Sequence, residues 1–124
     1  MRPIVLIATA FVATTTFAFA ASPVKLNTDL GEVIVGSDSY MTLYTYDKDT
    51  EGVSTCYDAC AEKWPPHFAE YWDSPRAPFS TIDRNDGKKQ WAKDGMPLYF
   101  YTGDAKKGDT TGDGVGEVWH AAHP

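Results

Sequence analysis

Short apolar and aromatic runs, separated by turns rich in glycine, aspartate and serine, occupy most of the chain after residue 30. Runs rich in β-branched and aromatic residues favour strands, and the polar clusters between them favour tight turns. The pairs Asp86-Gly87 and Asp94-Gly95 supply the positive φ that hairpin turns require. The pattern therefore predicts a mainly β, antiparallel fold with strands over residues 32–35, 41–46, 79–82, 90–92 and 97–101.

Two of these runs share one alternation. Tyrosine takes every second position in residues 43–46 and again in residues 98–101, with leucine, threonine or phenylalanine between. Successive strand residues face opposite sides, so both faces of these strands carry apolar or aromatic groups and are expected to be covered. Between the two runs, residues 66–78 hold three prolines and predict a packed, irregular connection rather than a flexible linker.

The chain contains an internal repeat. Residues 41–64 lie over residues 96–119 without a gap, at a constant offset of 55. Such self-similarity indicates two copies of one structural unit. We therefore predict a single domain over residues 21–124, a small antiparallel sheet built from two tandem hairpin-based repeats at about 24–78 and 79–124. The matched residues include Met41 with Met96, Leu43 with Leu98, Tyr44 with Tyr99, Tyr46 with Tyr101, Asp49 with Asp104, Asp58 with Asp113, Glu62 with Glu117 and Trp64 with Trp119.

Only the first copy carries cysteines. Cys56 and Cys60 lie four residues apart, which is within reach of a disulfide across one helical turn. In an exported protein a structural disulfide is the favoured interpretation, and a redox centre is the alternative. We predict one short helix near the cysteines, capped by Ser54 or Thr55 and ended by the following prolines.

Residues 1–20 have the features of a secretory signal peptide. A cation at Arg2 precedes a mostly apolar run that ends in Ala18-Phe19-Ala20. This predicts a periplasmic or secreted protein with no membrane span after cleavage. No lipid anchor is expected either, because no cysteine follows the run until Cys56. The formal net charge of −6 argues against nucleic acid as a partner, because phosphates require clustered Lys and Arg.

A paired motif, Tyr-x-aromatic-x-x-Asp, stands in both copies as residues 44–49 and 99–104. Together with Trp64-Pro65-Pro66 and Gly112-Asp113-Gly114, it resembles the signature of a bacterial family described as predicted lipoproteins or secreted repeats of unknown function. The resemblance implies an exported bacterial protein with two short repeats. Many relatives are lipid-anchored, and this chain departs from them because it lacks the anchoring cysteine.

The loop Gly108 to Trp119, GDTTGDGVGEVW, is similar to a calcium-binding loop. Asp109, Asp113 and Glu117 would fall at ligand positions, but His120 stands where a closing carboxylate is required. The alternative is a glycine-rich turn whose aspartates accept hydrogen bonds from nearby backbone amides. A second metal hypothesis is copper or zinc held by His120 and His123, with methionine as a further soft ligand.

Catalytic motifs are missing from the sequence, which has no nucleophile elbow and no HExxH, so we predict that the protein is not an enzyme. Four tryptophans and seven tyrosines, all after residue 20, exceed what so small a domain readily buries. We therefore predict a non-catalytic binding or structural module of the cell envelope, with no cofactor and with an envelope protein or glycan as partner. The candidate contact patch is His67, Tyr71 and Trp72. The alternative function is metal binding.

Overall fold

The computed structural model describes residues 3 and 22–124, and the predicted signal segment lies outside this part apart from Pro3. The elements follow from the short β-favouring runs and the turns between them. In chain order they are β1 (Val24–Thr28), β2 (Gly31–Val35), β3 (Tyr44–Tyr46), α1 (Ala59–Lys63), β4 (Phe68–Ala69), β5 (Phe79–Asp83), β6 (Lys89–Lys93), β7 (Met96–Pro97), a 3₁₀ turn (Val115–Glu117) and β8 (Trp119–Ala121).

Small antiparallel sheets make up the fold, which confirms the mainly β prediction. β1 pairs with β2, β3 pairs with β8, and β6 lies between β5 on one side and β4 with β7 on the other. The hairpin turns at Gly87 and Gly95 have φ of 81° and 82°, as their Asp-Gly sequences predicted. The sequence pattern missed β1, β8 and the two-residue β4, which lies in the segment predicted to be an irregular connection.

The two copies are interlocked rather than side by side. The segment that ends each copy crosses over and pairs with the tyrosine-bearing strand of the other copy, as β8 does on β3. Tyr44 and Tyr99 exchange backbone hydrogen bonds of 2.7 and 2.9 Å, and so lie at the centre of an approximate two-fold relation. Two other backbone hydrogen bonds recur at the offset of 55. Ala122 N donates to Leu43 O as His67 N donates to Leu98 O. Asp47 N donates to Val118 O as Thr102 N donates to Lys63 O.

Two hydrophobic clusters lie on opposite faces of the paired tyrosine strands. Tyr44 and Tyr99 belong to one cluster, whereas Leu43 and Leu98 belong to the other. This confirms the alternation predicted from the sequence. The first cluster contains Val33, Val35, Tyr44, Cys56, Trp64, Tyr99, Trp119 and Ala121, and the second contains Ile34, Leu43, Ala69, Trp91, Leu98 and Ala122.

The short helix and the disulfide both occur where they were predicted. Cys56 and Cys60 are joined, with Cα atoms 5.3 Å apart, and Cys56 is fully buried in the first cluster. The predicted capping of α1 by Ser54 or Thr55 is wrong: the helix starts after Asp58, which has a φ of 55°. Both residues point instead into the polar network described below.

Among the described residues, no helix has the length and apolar character needed to cross a membrane.

Candidate functional site

A buried polar network joins the two copies at Tyr99. The phenol OH donates to Asp49 Oδ2 at 2.6 Å, and its oxygen also meets Ser54 Oγ at 2.6 Å. Asp49 Oδ1 accepts the amide and the hydroxyl of Thr55, both at 2.8 Å. Burial and the adjacent Asp49 carboxylate raise the pKa of the Tyr99 phenol well above its usual value, so the phenol remains a donor.

The second copy builds the counterpart network around Tyr44. Its OH donates to Asp104 Oδ2 at 2.7 Å, and Asp104 Oδ1 accepts the amide and hydroxyl of Thr111 at 3.0 and 2.6 Å. Burial and Asp104 raise the pKa of Tyr44 in the same way. Thr55 and Thr111 differ by 56 positions, whereas the flanking pairs Asp49–Asp104 and Trp64–Trp119 differ by 55, so the threonine with the equivalent role is displaced by one position from the gapless match.

Gly112 explains part of the glycine-rich loop. Its amide donates to Tyr44 OH at 3.2 Å, and a Cβ at this position would lie 2.9 Å from both Tyr44 and Trp64. Glycine is therefore required for the loop to approach these rings.

Arg84 distinguishes the first network from the second. This buried side chain donates to Gln90 Oε1 at 2.7 Å and Ser54 Oγ at 3.0 Å, while its Nη2 donates to the Cys56 carbonyl at 3.1 Å. Its guanidinium also lies 4.3 Å from the ring centre of Tyr57. Its Nε forms an ion pair with Asp86 Oδ2 at 3.0 Å. A cation is thus connected through Ser54 to Tyr99, whereas the Tyr44 hydroxyl accepts from the neutral amide of Gly112.

Four aromatic rings form a continuous stack through the centre of the molecule. We call this set, Tyr46, Trp119, Trp64 and Tyr101 in spatial order, the aromatic column. The ring centroids of successive members are 4.2, 3.9 and 4.2 Å apart, and the two indoles are parallel within 2°. The tryptophans are buried and the terminal tyrosines are partly exposed. The column follows from the repeat, because the stacked pair of Tyr46 and Trp119 corresponds, at an offset of 55 residues, to the stacked pair of Tyr101 and Trp64.

A second group of aromatic side chains is exposed on the outer surface. Phe68 in β4 and Tyr71 border a depression of about 420 Å³ that also contains Lys88 and Lys89. Lys88 Nζ lies 4.8 Å from the Phe68 ring centre. We call this depression the aromatic groove, and its lining residues are Phe68, Ala69, Glu70, Tyr71, Gly87, Lys88 and Lys89.

The structure divides the predicted contact patch. Tyr71 is 84% exposed and Trp72 is 49% exposed, and their rings meet edge to face at 4.7 Å. His67 packs inward instead, with its ring 4.8 Å from the Phe100 ring centre. Sequence reasoning placed Tyr71 and Trp72 on the surface but missed Phe68 and the two lysines, which the β4 to β6 pairing brings beside them.

Burial of His67 makes the stability of the fold dependent on pH. Loss of hydration lowers the pKa of His67 from 6.5 to about 4, against the opposing influence of Asp38 and Asp73. Between these values the unfolded chain binds a proton that the folded chain does not. This contribution to stability is therefore complete above pH 6.5 and lost as the pH falls towards 4, by about 3 kcal/mol. Urea denaturation at pH 7.5 and at pH 4.5 measures the difference.

The variant His67→Gln should lose most of this acid-dependent destabilisation, because glutamine does not titrate. His120→Gln, at an exposed position, is the matched control and should retain it. Equal acid sensitivity in the wild type and in His67→Gln would contradict the assignment.

The acidic loop engages its carboxylates internally. Asp109 Oδ2 accepts the amides of Ala105 and Lys106 at 2.9 and 3.0 Å, and Asp113 Oδ1 accepts the amide of Ala121 at 2.9 Å. Glu117 is exposed. Hydrogen bonds from backbone amides to aspartate carboxylates are the bonds expected of a glycine-rich turn, the alternative to a calcium loop.

The two C-terminal histidines have separate neighbours. His120 lies in β8 with Nε2 2.8 Å from Asp47 Oδ2, and His123 Nδ1 lies 2.9 Å from the Glu32 carbonyl. Within the part of the chain that the structure describes, no three His, Cys, Asp or Glu side chains form a group that could hold a metal.

A family model described as a secreted repeat of unknown function matches residues 25–67 and 80–123, once for each copy. No curated protein and no solved structure matches the chain with significance.

Proposed function

Because the chain belongs to the family described as a secreted repeat of unknown function, and is therefore an exported protein, we propose that it is a non-catalytic binding module of the cell envelope. Its binding face is the aromatic groove together with Trp72, and its ligand is an anionic envelope glycan. The observation that carries the proposal is the exposure of Tyr71 and Trp72, whose rings stand at 84° to each other beside the groove.

Exposed aromatic rings of this kind suit sugar recognition. A ring with one free face packs against the apolar face of a pyranose, and the phenol and indole also supply polar groups at their edges. Phe68, Tyr71 and Trp72 are three of the large apolar side chains that remain exposed in the fold, and they lie within five positions of one another. Their grouping favours one binding face over scattered surface residues.

The charge of the groove favours an anionic ligand. Lys88 and Lys89 line it; Lys89 Nζ is paired with Asp83 at 2.9 Å, and the Lys88 ammonium, 4.8 Å from the Phe68 ring centre, is the cation placed to meet an anionic group of the ligand. Glu70 lies on the same wall and would direct carboxylates of the ligand towards the lysine side. Binding should accordingly weaken as salt concentration rises.

Rigid support improves such a site. The groove is bordered by β4 and the start of β6, which pair at Phe68 with Gln90 and at Ala69 with Lys89. Gln90 is itself fixed by its bonds to Arg84 and to the Leu98 carbonyl. The loss of conformational entropy on binding is smaller when the contact residues are held in this way.

We expect the variant Tyr71→Ala/Trp72→Ala to lose co-sedimentation with purified peptidoglycan sacculi, which carry sugar rings and carboxylates. Loss of two central aromatic contacts should weaken binding by about tenfold or more. The folded state should be unaffected, because both rings are exposed. Co-sedimentation over a range of protein concentrations gives the apparent affinity.

Tyr40→Ala is the matched control. Tyr40 is 42% exposed and lies beside a lysine, with Lys107 Nζ 5.3 Å from its ring centre, but it is not part of the groove. It should bind as the wild type does. Equal sedimentation of the wild type and the double variant would contradict the proposal. A cross-linked protein partner lost in the double variant, with no binding to sacculi, would replace the glycan by a protein ligand.

A further inference from the structure

The aromatic column and the two tyrosine–aspartate pairs beside it are in contact. Tyr44 lies edge-on to Trp64 at 5.4 Å and to Tyr101 at 6.1 Å, while Tyr99 lies edge-on to Trp119 at 5.2 Å. We propose that this assembly is redox-active: a diffusible one-electron oxidant withdraws an electron at the exposed ends of the column, and the oxidising equivalent comes to rest as a neutral tyrosyl radical on Tyr44.

The column provides a route from the surface to the interior. Indole and phenol are among the most readily oxidised side chains, and an electron passes easily between rings that are in van der Waals contact. Successive centroids here are no more than 4.2 Å apart. Tyr46 and Tyr101 are partly exposed, whereas Trp64 and Trp119 are 3% and 5% exposed. The oxidant can therefore react at either end while water is kept from the centre.

A hydrogen-bonded carboxylate determines on which ring the oxidising equivalent is stabilised. An oxidised phenol is a very strong acid and is stable only when its proton can leave. Tyr44 OH donates to Asp104 at 2.7 Å and Tyr99 OH donates to Asp49 at 2.6 Å, so each proton has an acceptor within hydrogen-bond distance.

The two pairs differ in their positive neighbours. Arg84, a cation that also forms an ion pair with Asp86, donates to Ser54, which contacts the Tyr99 hydroxyl. Oxidation with proton transfer changes the net charge of a tyrosine–aspartate pair from −1 to 0, and a neighbouring positive charge opposes this change. Thr55 and Thr111 hold the two aspartates alike, but the Tyr44 hydroxyl accepts from the neutral amide of Gly112 instead of contacting a group bonded to a cation. For this reason the radical should form on Tyr44 and not on Tyr99.

The reaction balances in electrons and protons. The oxidant gains one electron, Tyr44 loses one electron, and the phenolic proton moves to Asp104 Oδ2, giving a neutral tyrosyl radical and a protonated carboxyl group. A one-electron reductant returns an electron to the Tyr44 radical, and the proton returns from Asp104, which regenerates the phenol and the carboxylate. In an exported protein such a unit would take up oxidising equivalents from small one-electron oxidants outside the cytoplasm.

Flash-quench photolysis tests the proposal. Ruthenium tris-bipyridine, oxidised in a laser flash by cobalt pentaamminechloride, serves as the one-electron oxidant. The parent protein carries Tyr40→Phe, Tyr71→Phe and Trp72→Phe, which removes exposed rings that would react directly. We expect transient absorption and freeze-quench electron paramagnetic resonance to show a tyrosyl radical in this parent. Adding Tyr44→Phe should remove the tyrosyl signal, whereas Tyr99→Phe should leave it.

Asp104→Asn separates proton acceptance from packing. Tyr44 remains in place but loses its base, so a tryptophan radical should persist and no tyrosyl radical should follow. Asp49→Asn is the matched control and should behave as the parent. Thermal unfolding establishes that each variant is folded. The proposal is overturned if the tyrosyl signal survives in both Tyr44→Phe and Asp104→Asn, if Tyr99→Phe alone removes it, or if the parent yields only a tryptophan radical.

Discussion

Replacing Trp64 by alanine should destabilise the protein by about 3–5 kcal/mol, a large part of the total stability of a small domain. The indole is 3% exposed and packs face to face with Trp119 at 3.9 Å and with Tyr101 at 4.2 Å. Alanine leaves a cavity at the point where the two copies meet. Urea denaturation should show a lower midpoint, and Trp119→Ala should show a loss of similar size because the repeat places it equivalently.

Trp72→Ala is the control for this result. It makes the same chemical change at a ring that is 49% exposed, and its effect on stability should stay within about 0.5 kcal/mol. The two variants therefore separate the roles assigned to tryptophan here, one in holding the copies together and one in binding. Comparable losses in Trp64→Ala and Trp72→Ala would contradict the account of the core.

Local features of the sequence predicted the local features of the fold. The Asp-Gly pairs gave the hairpin turns between β5, β6 and β7, and the alternation of tyrosine with leucine gave the two faces of the central strands. The disulfide also joins residues close in sequence. In each case the physical cause of the feature lies in a few neighbouring residues, so the sequence alone was sufficient to predict it.

Features that depend on distant pairing were not predicted. β8 has three residues and follows a glycine-rich turn, so its sequence has no clear strand signal. It forms because Trp119 stacks on Trp64 and because β3 offers an open edge, and both partners lie more than fifty positions away. The repeat showed that two units exist, but it did not show that each completes the strand pairing of the other.

The same limit applies to the candidate sites. The motif ending in Asp49 and Asp104 was visible in both copies, but its aspartates receive hydrogen bonds from the tyrosine of the opposite copy. Arg84 has no matched residue that would have drawn attention to it. The metal hypotheses rested on spacing alone, and the turn uses Asp109 and Asp113 to bind backbone amides. Acidic residues in glycine-rich loops commonly do this.

Replacing Arg84 by methionine should destabilise the fold by about 3–5 kcal/mol, comparable to the loss of Trp64. The side chain of Arg84 is 1% exposed, and its donors reach Gln90, Ser54 and the Cys56 carbonyl. Methionine fills much of the volume but leaves these acceptors without a donor in a place that water does not reach. Asp86 also loses the ion pair that its Oδ2 forms with Arg84 Nε at 3.0 Å. Urea denaturation of both proteins at neutral pH measures the loss.

Arg84→Lys distinguishes charge from geometry. Lysine retains the positive charge but presents it as a single ammonium group, which cannot reach three acceptors in different directions as the planar guanidinium does. If the ion pair with Asp86 dominates, Arg84→Lys should recover most of the stability lost in Arg84→Met; if the buried hydrogen bonds dominate, it should recover little. Lys89→Met removes an exposed ion pair with Asp83 and should cost no more than about 1 kcal/mol. A loss in Arg84→Met as small as that of Lys89→Met would show that the buried network does not hold the two copies together.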